Sequence, residues 1–81
     1  MKEIEFDYTK LRGKIKELGI TLKDFAKIIG ITPASLYYRL KNQRYFGQDE
    51  IVKTMNLFNE PIDNSKYYFF KLKVTKNETD N

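Results

Sequence analysis

The chain is 81 residues long, contains neither cysteine nor histidine, and carries a formal net charge of +4. The composition excludes a disulfide framework, metal sites built from cysteine or histidine, and catalysis that depends on either side chain, so we expect neither an enzyme nor a cofactor. The N-terminus lacks the apolar core of a signal peptide, and no apolar run approaches the ~20 residues of a membrane helix. We therefore expect a cytoplasmic protein without a membrane partner.

We expect a single domain, residues 1–81, ordered from about 6 to 75 with a flexible polar tail over 76–81. The charge is unevenly distributed within it. Between Lys10 and Arg44 the sequence has nine cations against two anions, a net charge of +7. A cationic segment of this kind favours a polyanionic partner such as nucleic acid. The alternative is that these lysines only keep a small domain in solution.

The first helix is predicted to run from about Tyr8 to Leu18, after residues 1–6, which carry no structural signal. Asp7 is predicted to be its N-cap, because a side-chain acceptor there binds the free backbone N–H groups of the first turn. Gly19 is expected to end it, since glycine tolerates the left-handed conformation common at a helix C-terminus. The apolar positions fall on one helical stripe: Tyr8, Leu11, Ile15 and Leu18.

The stretch from Thr21 to Lys41 predicts two short helices hinged at Gly30. Thr21 is expected to cap the first helix, and Thr32, with proline at the following position, to cap the second. Two helices joined by a short turn containing glycine form a helix-turn-helix, whose second helix can enter the DNA major groove. The expected buried positions of the unit are Leu22, Phe25, Ala26, Ile29, Ile31, Leu36 and Leu40.

The remainder of the chain predicts two further helices and a short strand. A fourth helix begins after Gly47 with an acidic first turn, which the helix macrodipole favours, and ends at Glu60 and Pro61. Its expected apolar side consists of Ile51, Val52, Met55 and Phe58. A fifth helix is expected to extend through residues 67–69, followed by alternating apolar and polar residues over 70–75 that suggest a strand. An exposed strand at this place could pair with a second copy and give a homodimer.

The run TLKDFAKIIGITPASLYYRLKNQ resembles the helix-turn-helix of Cro- and repressor-type (XRE-like) regulators. The packing positions of that motif are occupied by Ala26, Gly30, Ile31, Leu36 and Leu40. The wider pattern of FDYTKLRGKI, the motif, FGQDEIVK and YYFF is similar to small Cro-like or modulator-of-repression proteins of phages of Gram-positive bacteria. The resemblance covers residues 6–70 and implies an all-α fold, a compact lambda-repressor-like bundle of about five helices, to which the predicted C-terminal strand is added.

The resemblance also implies a function, a phage-type transcriptional regulator of a lysis–lysogeny switch in the cytoplasm of the host bacterial cell. Some members of this group bind operator DNA as dimers. Others bind the cognate repressor and block or alter its DNA binding. Two hypotheses follow: binding of double-stranded operator DNA through the helix-turn-helix, and the alternative, an antirepressor that binds the DNA-binding domain of the cognate repressor through the third helix.

The candidate contact residues lie on and around the third helix: Thr21, Thr32, Ala34, Ser35, Tyr37, Tyr38, Lys41, Asn42 and Arg44. Hydroxyl groups, cations and helix N-termini are the groups that bind phosphates. Bidentate base reading requires arginine, asparagine or glutamine, whereas periodicity turns Ala34, Tyr38 and Lys41 outward, with Tyr37 on the flank. Exposed tyrosines are typical of protein interfaces, although partial burial is the alternative. Arg39 beside the core stripe is expected to extend its guanidinium outward.

Overall fold

Five α-helices and a short 3-10 turn make up most of the chain in a computed structural model that describes residues 4–73. The helices are α1 (Thr9–Glu17), α2 (Leu22–Ile29), α3 (Pro33–Leu40), α4 (Gln48–Phe58) and α5 (Ser65–Phe69), and the 3-10 turn Ile62–Asn64 precedes α5. The prediction of an all-α bundle of five helices is confirmed. The predicted flexible tail over 76–81 lies outside the described residues.

All five helices contribute side chains to one hydrophobic core. Its buried members are Tyr8, Leu11, Ile15, Phe25, Ala26, Ile29, Leu36, Leu40, Met55, Phe58, Tyr68 and Phe69. Three residues predicted to be buried, Leu18, Leu22 and Val52, are instead exposed. Leu18 and Leu22 stand at the C-cap of α1 and the first position of α2, where the chain has left the core stripe. Val52 lies off the stripe that α4 presents to the core.

The helix ends follow local sequence rules. Thr21 and Asp24 form a reciprocal capping box at α2, and the Thr21 backbone N–H that binds the Asp24 carboxylate lowers the pKa of Asp24. Gly30 ends α2 with φ of 87°, a left-handed conformation that favours glycine. The cap of α1 differs from the prediction: Tyr8 is the N-cap, while Asp7 Oδ1 accepts a hydrogen bond from the Thr9 N–H at 2.9 Å.

The two ends of the described chain meet in a short antiparallel bridge between Phe6 and Leu72. The Asp7 N–H donates to the Lys71 carbonyl at 2.7 Å, and the Lys73 N–H donates to the Glu5 carbonyl at 2.9 Å. The predicted strand over residues 70–75 is thus reduced to one bridge within the described residues, and residues 74 and 75 lie outside them. Phe6 takes part in this bridge although residues 1–6 carry no structural signal in the sequence, because its partner Leu72 is 66 positions away along the chain.

The paired segments, residues 5–7 and 71–73, are called the terminal ribbon below. Asn42 holds this ribbon against the end of α3. It adopts φ of 63°, and its side-chain amide accepts from the Phe6 N–H at 2.8 Å and donates to the Phe6 carbonyl at 3.0 Å. The amide thereby replaces the two backbone groups that a neighbouring strand would supply. Asparagine suits the position for two reasons, since it tolerates the left-handed region and carries both a donor and an acceptor.

A second polar cluster fastens α5 to α1 and to the end of α4. The Tyr68 hydroxyl donates to Glu60 Oε2 at 2.7 Å, and Lys14 Nζ lies 3.6 Å from the same oxygen. Burial raises the pKa of Tyr68 to about 12. The hydrogen bond from Tyr68, assisted by one from Asn64, lowers the pKa of Glu60.

A bidentate ion pair with α4 fixes the rotation of α3 about its own axis. Arg39 Nε donates to Glu50 Oε1 at 2.9 Å and Arg39 Nη2 to Glu50 Oε2 at 3.2 Å, while Nη1 donates to the Ser35 carbonyl at 3.1 Å. Glu50 also accepts from the Gly47 N–H at 3.1 Å, which caps α4. The expectation that the Arg39 guanidinium extends outward is therefore wrong: an acidic partner on the next helix holds it against the bundle.

Substitution of Asn42 should destabilise the fold in two separable steps. Asn42→Gly keeps the left-handed conformation and loses both hydrogen bonds to Phe6, at a cost of about 1–2 kcal/mol. Asn42→Ala adds the strain of a Cβ at positive φ, about 1 kcal/mol more. Thermal unfolding measures both, each kcal/mol corresponding to about 4–8 °C. Asn59→Gly is the matched control, because Asn59 has φ of 58° at the C-cap of α4 and should tolerate glycine. Equal losses of stability for Asn42→Gly and Asn59→Gly would contradict a stabilising role for the Asn42 hydrogen bonds.

Removing only the arginine of this ion pair should lower the free energy of unfolding more than removing both charges. Arg39→Met leaves the Glu50 carboxylate, whose side chain is 10% exposed, without its cation, and should lower the free energy of unfolding by about 3 kcal/mol. Arg39→Met with Glu50→Gln should recover part of that loss, because the glutamine oxygen still accepts from Gly47. Denaturant unfolding of the two variants measures the difference. A double variant as unstable as the single one would contradict the coupling.

Candidate nucleic-acid and protein interface

The outward face of α3, defined as Ala34, Tyr37, Tyr38 and Lys41, is exposed to solvent. Tyr37 is 56% exposed and Tyr38 46%, so both side chains are open to solvent, although about half of the surface of each is covered. Their rings meet edge to face with centroids 6.0 Å apart. Two adjacent tyrosines with half of their surface in water supply large contact area with few rotatable bonds, which is favourable for binding.

Cations border this face toward the C-terminus of α3. Lys41 Nζ lies 5.1 Å from the centroid of the Tyr37 ring and donates to the Tyr37 hydroxyl at 3.3 Å. The two residues are four positions apart, the spacing that makes side chains neighbours on a helix. Arg44 is exposed in the loop that follows. The outward face thus combines aromatic surface with a positive edge.

The candidate hydroxyl groups are partly engaged in capping. The Thr21 hydroxyl accepts from the Asp24 N–H at 3.0 Å. The Thr32 hydroxyl accepts from the Ser35 N–H at 3.1 Å and donates to the Ser35 hydroxyl at 3.0 Å. Thr32 therefore has its hydrogen committed to Ser35 within α3. Of the three residues, Thr21 and Ser35 retain a hydroxyl hydrogen for a ligand.

Asn42 does not belong to this surface. Both polar atoms of its side chain are bound to the Phe6 backbone, as described above, so the amide has a structural task and faces the terminal ribbon. Most of the remaining candidates lie on α3 or at its ends: Ala34, Ser35, Tyr37 and Tyr38 are in the helix, Thr32 and Lys41 cap it, and Arg44 follows it. Thr21 instead caps the neighbouring α2. No local pattern distinguishes a contact asparagine from one that binds a backbone 36 residues away.

A groove of about 280 Å³ opens beside Tyr37, between α3, the middle of α1 and the start of α2. Its walls include Arg12, Leu22, Lys23, Pro33 and Tyr37. Leu22 is exposed although the sequence predicts it buried, and it lies on the apolar floor of this groove. An apolar groove with two cations at its walls extends the outward face of α3 toward α2.

The cationic excess of the segment from Lys10 to Arg44 is reduced by partners outside it. Arg39 pairs with Glu50 at 2.9 Å, and Lys14 lies 3.6 Å from Glu60. Two of the nine cations counted in the sequence are thus engaged in ion pairs within the fold. Composition alone therefore overstates the charge that this segment offers to a polyanion.

Metal binding and membrane insertion find no support in the part of the chain that the structure describes. Among residues 4–73, no group of three or more acidic, histidine or cysteine side chains is placed to hold a metal ion. Within the same range, no helix has the length and apolar character needed to cross a membrane.

Sequence reasoning missed one feature, an apolar cleft of about 220 Å³ next to the terminal ribbon. Its lining is almost wholly aromatic: Phe6, Tyr8, Tyr45, Phe46, Ile51, Phe69 and Phe70. The high aromatic content of the chain, 15%, was the available signal. The residues come from four separate segments, so their convergence is visible only in the fold.

Comparison with known proteins identifies one family. No curated protein matches the sequence. A family model described as a protein of unknown function (DUF739) matches residues 4–72, which include all five helices and the terminal bridge. The chain therefore belongs to the DUF739 family of proteins of unknown function.

Proposed function

We propose that the protein is a phage-type transcriptional regulator of a lysis–lysogeny switch that binds operator DNA through α2 and α3. The observation that carries the proposal is the pairing of these helices across a three-residue turn, residues 30–32, with the outward face of α3 left open. That connectivity is the one that presents a second helix to the major groove. The resemblance of residues 21–43 to Cro- and repressor-type motifs supports the same function.

Phosphate contacts would supply most of the affinity. Lys41 and Arg44 border α3, and the N-termini of α2 and α3 present backbone N–H groups, which favour anions. Base reading would be limited, because Ala34 offers a methyl group to thymine and Ser35 a weak hydrogen bond. The protein would therefore bind related operators with modest discrimination, and its occupancy would depend strongly on salt.

DNA binding should weaken in a graded way when the cations of this surface are removed. Lys41→Ala and Arg44→Ala should each lower the slope of log affinity against log salt by about one, if each side chain contacts one phosphate. Fluorescence anisotropy with labelled DNA from the region flanking the gene measures the slope. Lys66→Ala, which removes an equal charge from α5, is the matched control and should leave the slope unchanged. Equal effects of all three substitutions would contradict binding through α3.

A second function is favoured by the Tyr37–Tyr38 pair: antirepression, in which α3 binds the DNA-binding domain of a cognate repressor. The two tyrosines, the groove beside Tyr37 and its cations Arg12 and Lys23 have the composition of a protein interface, with aromatic anchors and charged edges. The partner surface would then carry acidic residues opposite those cations and Lys41. A repressor bound in this way would have its own DNA-contacting helix covered or displaced.

Truncation of Tyr38 should separate the two functions. In antirepression, Tyr38→Ala should weaken the complex with the co-encoded repressor by at least ~30-fold, a hot-spot effect of about 2 kcal/mol. Isothermal titration calorimetry measures this affinity. Tyr67→Ala is the control, because Tyr67 is similarly exposed at 51% but lies on α5. If wild-type protein binds DNA at low salt and Tyr38→Ala leaves repressor binding intact, the second function fails.

A further inference from the structure

The terminal ribbon has one closed edge and one open edge. In the antiparallel bridge, Phe6 and Leu72 form a pair whose own N–H and C=O groups point away from each other, because the ladder bonds are made by their neighbours. The Phe6 groups are bound by the Asn42 amide. Within residues 4–73, the N–H and C=O of Leu72 have no hydrogen-bond partner. A further strand can therefore be added beside Leu72, whereas the Asn42 amide occupies the edge at Phe6.

The apolar face of the ribbon borders the aromatic cleft through Phe6 and Phe70, whereas Leu72 is not one of the residues that line it. Leu72 shares a face with Phe6, its bridge partner, and Phe6 and Phe70 both line the cleft. Leu72 is 61% exposed and Phe70 52% exposed. The cleft volume of about 220 Å³ lies below the roughly 300–1,000 Å³ of small-molecule sites. Its size suits one or two apolar side chains of an added strand.

The opposite face of the ribbon carries alternating charges. Lys71 Nζ lies 3.9 Å from Asp7 Oδ2, and Lys73 Nζ lies 3.5 Å from Glu5 Oε1. Both lysines are well exposed, so the ammonium group of each can donate to a second carboxylate on its solvent side. An added strand with acidic residues opposite Lys71 and Lys73 would complete two rows of acid, base and acid across three strands.

A second copy of the chain fits this edge poorly. Antiparallel self-pairing centred on Leu72 places Lys71 of each copy opposite Lys73 of the other. Centring the pair on Lys71 or on Lys73 places identical lysines opposite each other. Like charges directly across an antiparallel pair are destabilising, and edge lysines are a common means of preventing self-association.

We propose that the open edge at Leu72, together with the aromatic cleft, is a docking site for an extended segment of a partner protein in which acidic and apolar residues alternate. The Leu72 N–H and C=O would form the main-chain hydrogen bonds, the cleft would take the apolar side chains, and Lys71 and Lys73 would bind the carboxylates. Main-chain pairing combined with pockets for alternate side chains is a known mode of peptide recognition. This site is separate from α3 and goes beyond the regulatory function proposed above.

Selection from a displayed library of random decapeptides on the full-length protein tests the proposal. The expected result is enrichment of peptides in which an apolar residue stands between two acidic ones. Lys71→Glu with Lys73→Glu should weaken the selected peptides at least tenfold and select lysine- or arginine-containing peptides instead. Leu72→Pro, which removes the outward N–H of this edge together with the leucine side chain, should also abolish binding. Tyr38→Ala on α3 is the control and should bind the peptides like the wild type.

Three outcomes would overturn the proposal. The first is failure of the wild-type protein, shown to be folded by circular dichroism, to enrich any such pattern, which would leave Lys71 and Lys73 as protection against self-pairing only. The second is a dimer in analytical ultracentrifugation that Leu72→Pro dissociates, which would assign the edge to a second copy. The third is peptide binding that arises only after truncation beyond Lys73, which would assign the edge to the chain's own C-terminal residues.

Discussion

The ion pair between Arg39 and Glu50 determines which side of α3 is available for binding. Leu36 and Leu40 anchor the helix in the core, and the pair adds Arg39 to the buried side, so Tyr38 and its neighbours are turned to solvent. Because the same carboxylate caps α4 at Gly47, one side chain couples the start of α4 to the middle of α3. A helix-turn-helix needs this kind of rigidity, since the geometry of a binding surface depends on the side chains that support it.

Local features of the fold could be predicted from the sequence, and non-local ones could not. The caps at Thr21 and Thr32, the left-handed Gly30 and the core stripe of α3 depend on neighbours within one or two turns, and the structure confirms them. The contacts of Arg39 and Asn42 join residues 11 and 36 positions apart, and both were misjudged for that reason. Helical periodicity predicts the exposure of Tyr38, whereas the hydrogen bonds that occupy Asn42 depend on the tertiary fold and could not be predicted from local sequence.

The surface of this small domain is divided into regions of different chemistry. The outward face of α3 is aromatic with a cationic edge, whereas the terminal ribbon pairs its lysines with carboxylates and leaves one strand edge open. Asn42 lies between the two regions, because it follows the C-cap of α3 and binds the backbone of Phe6.

We propose that the outward face of α3 makes the regulatory contact, and chemical-shift mapping by nuclear magnetic resonance tests this most directly. Operator DNA and the repressor domain are titrated into the labelled protein in separate experiments. One of these partners should shift the backbone signals of Ala34, Tyr37, Tyr38 and Lys41 together, while α5 and the terminal ribbon change little. Shifts confined to the ribbon around Leu72, or spread over α5 with α3 unaffected, would contradict a contact through α3.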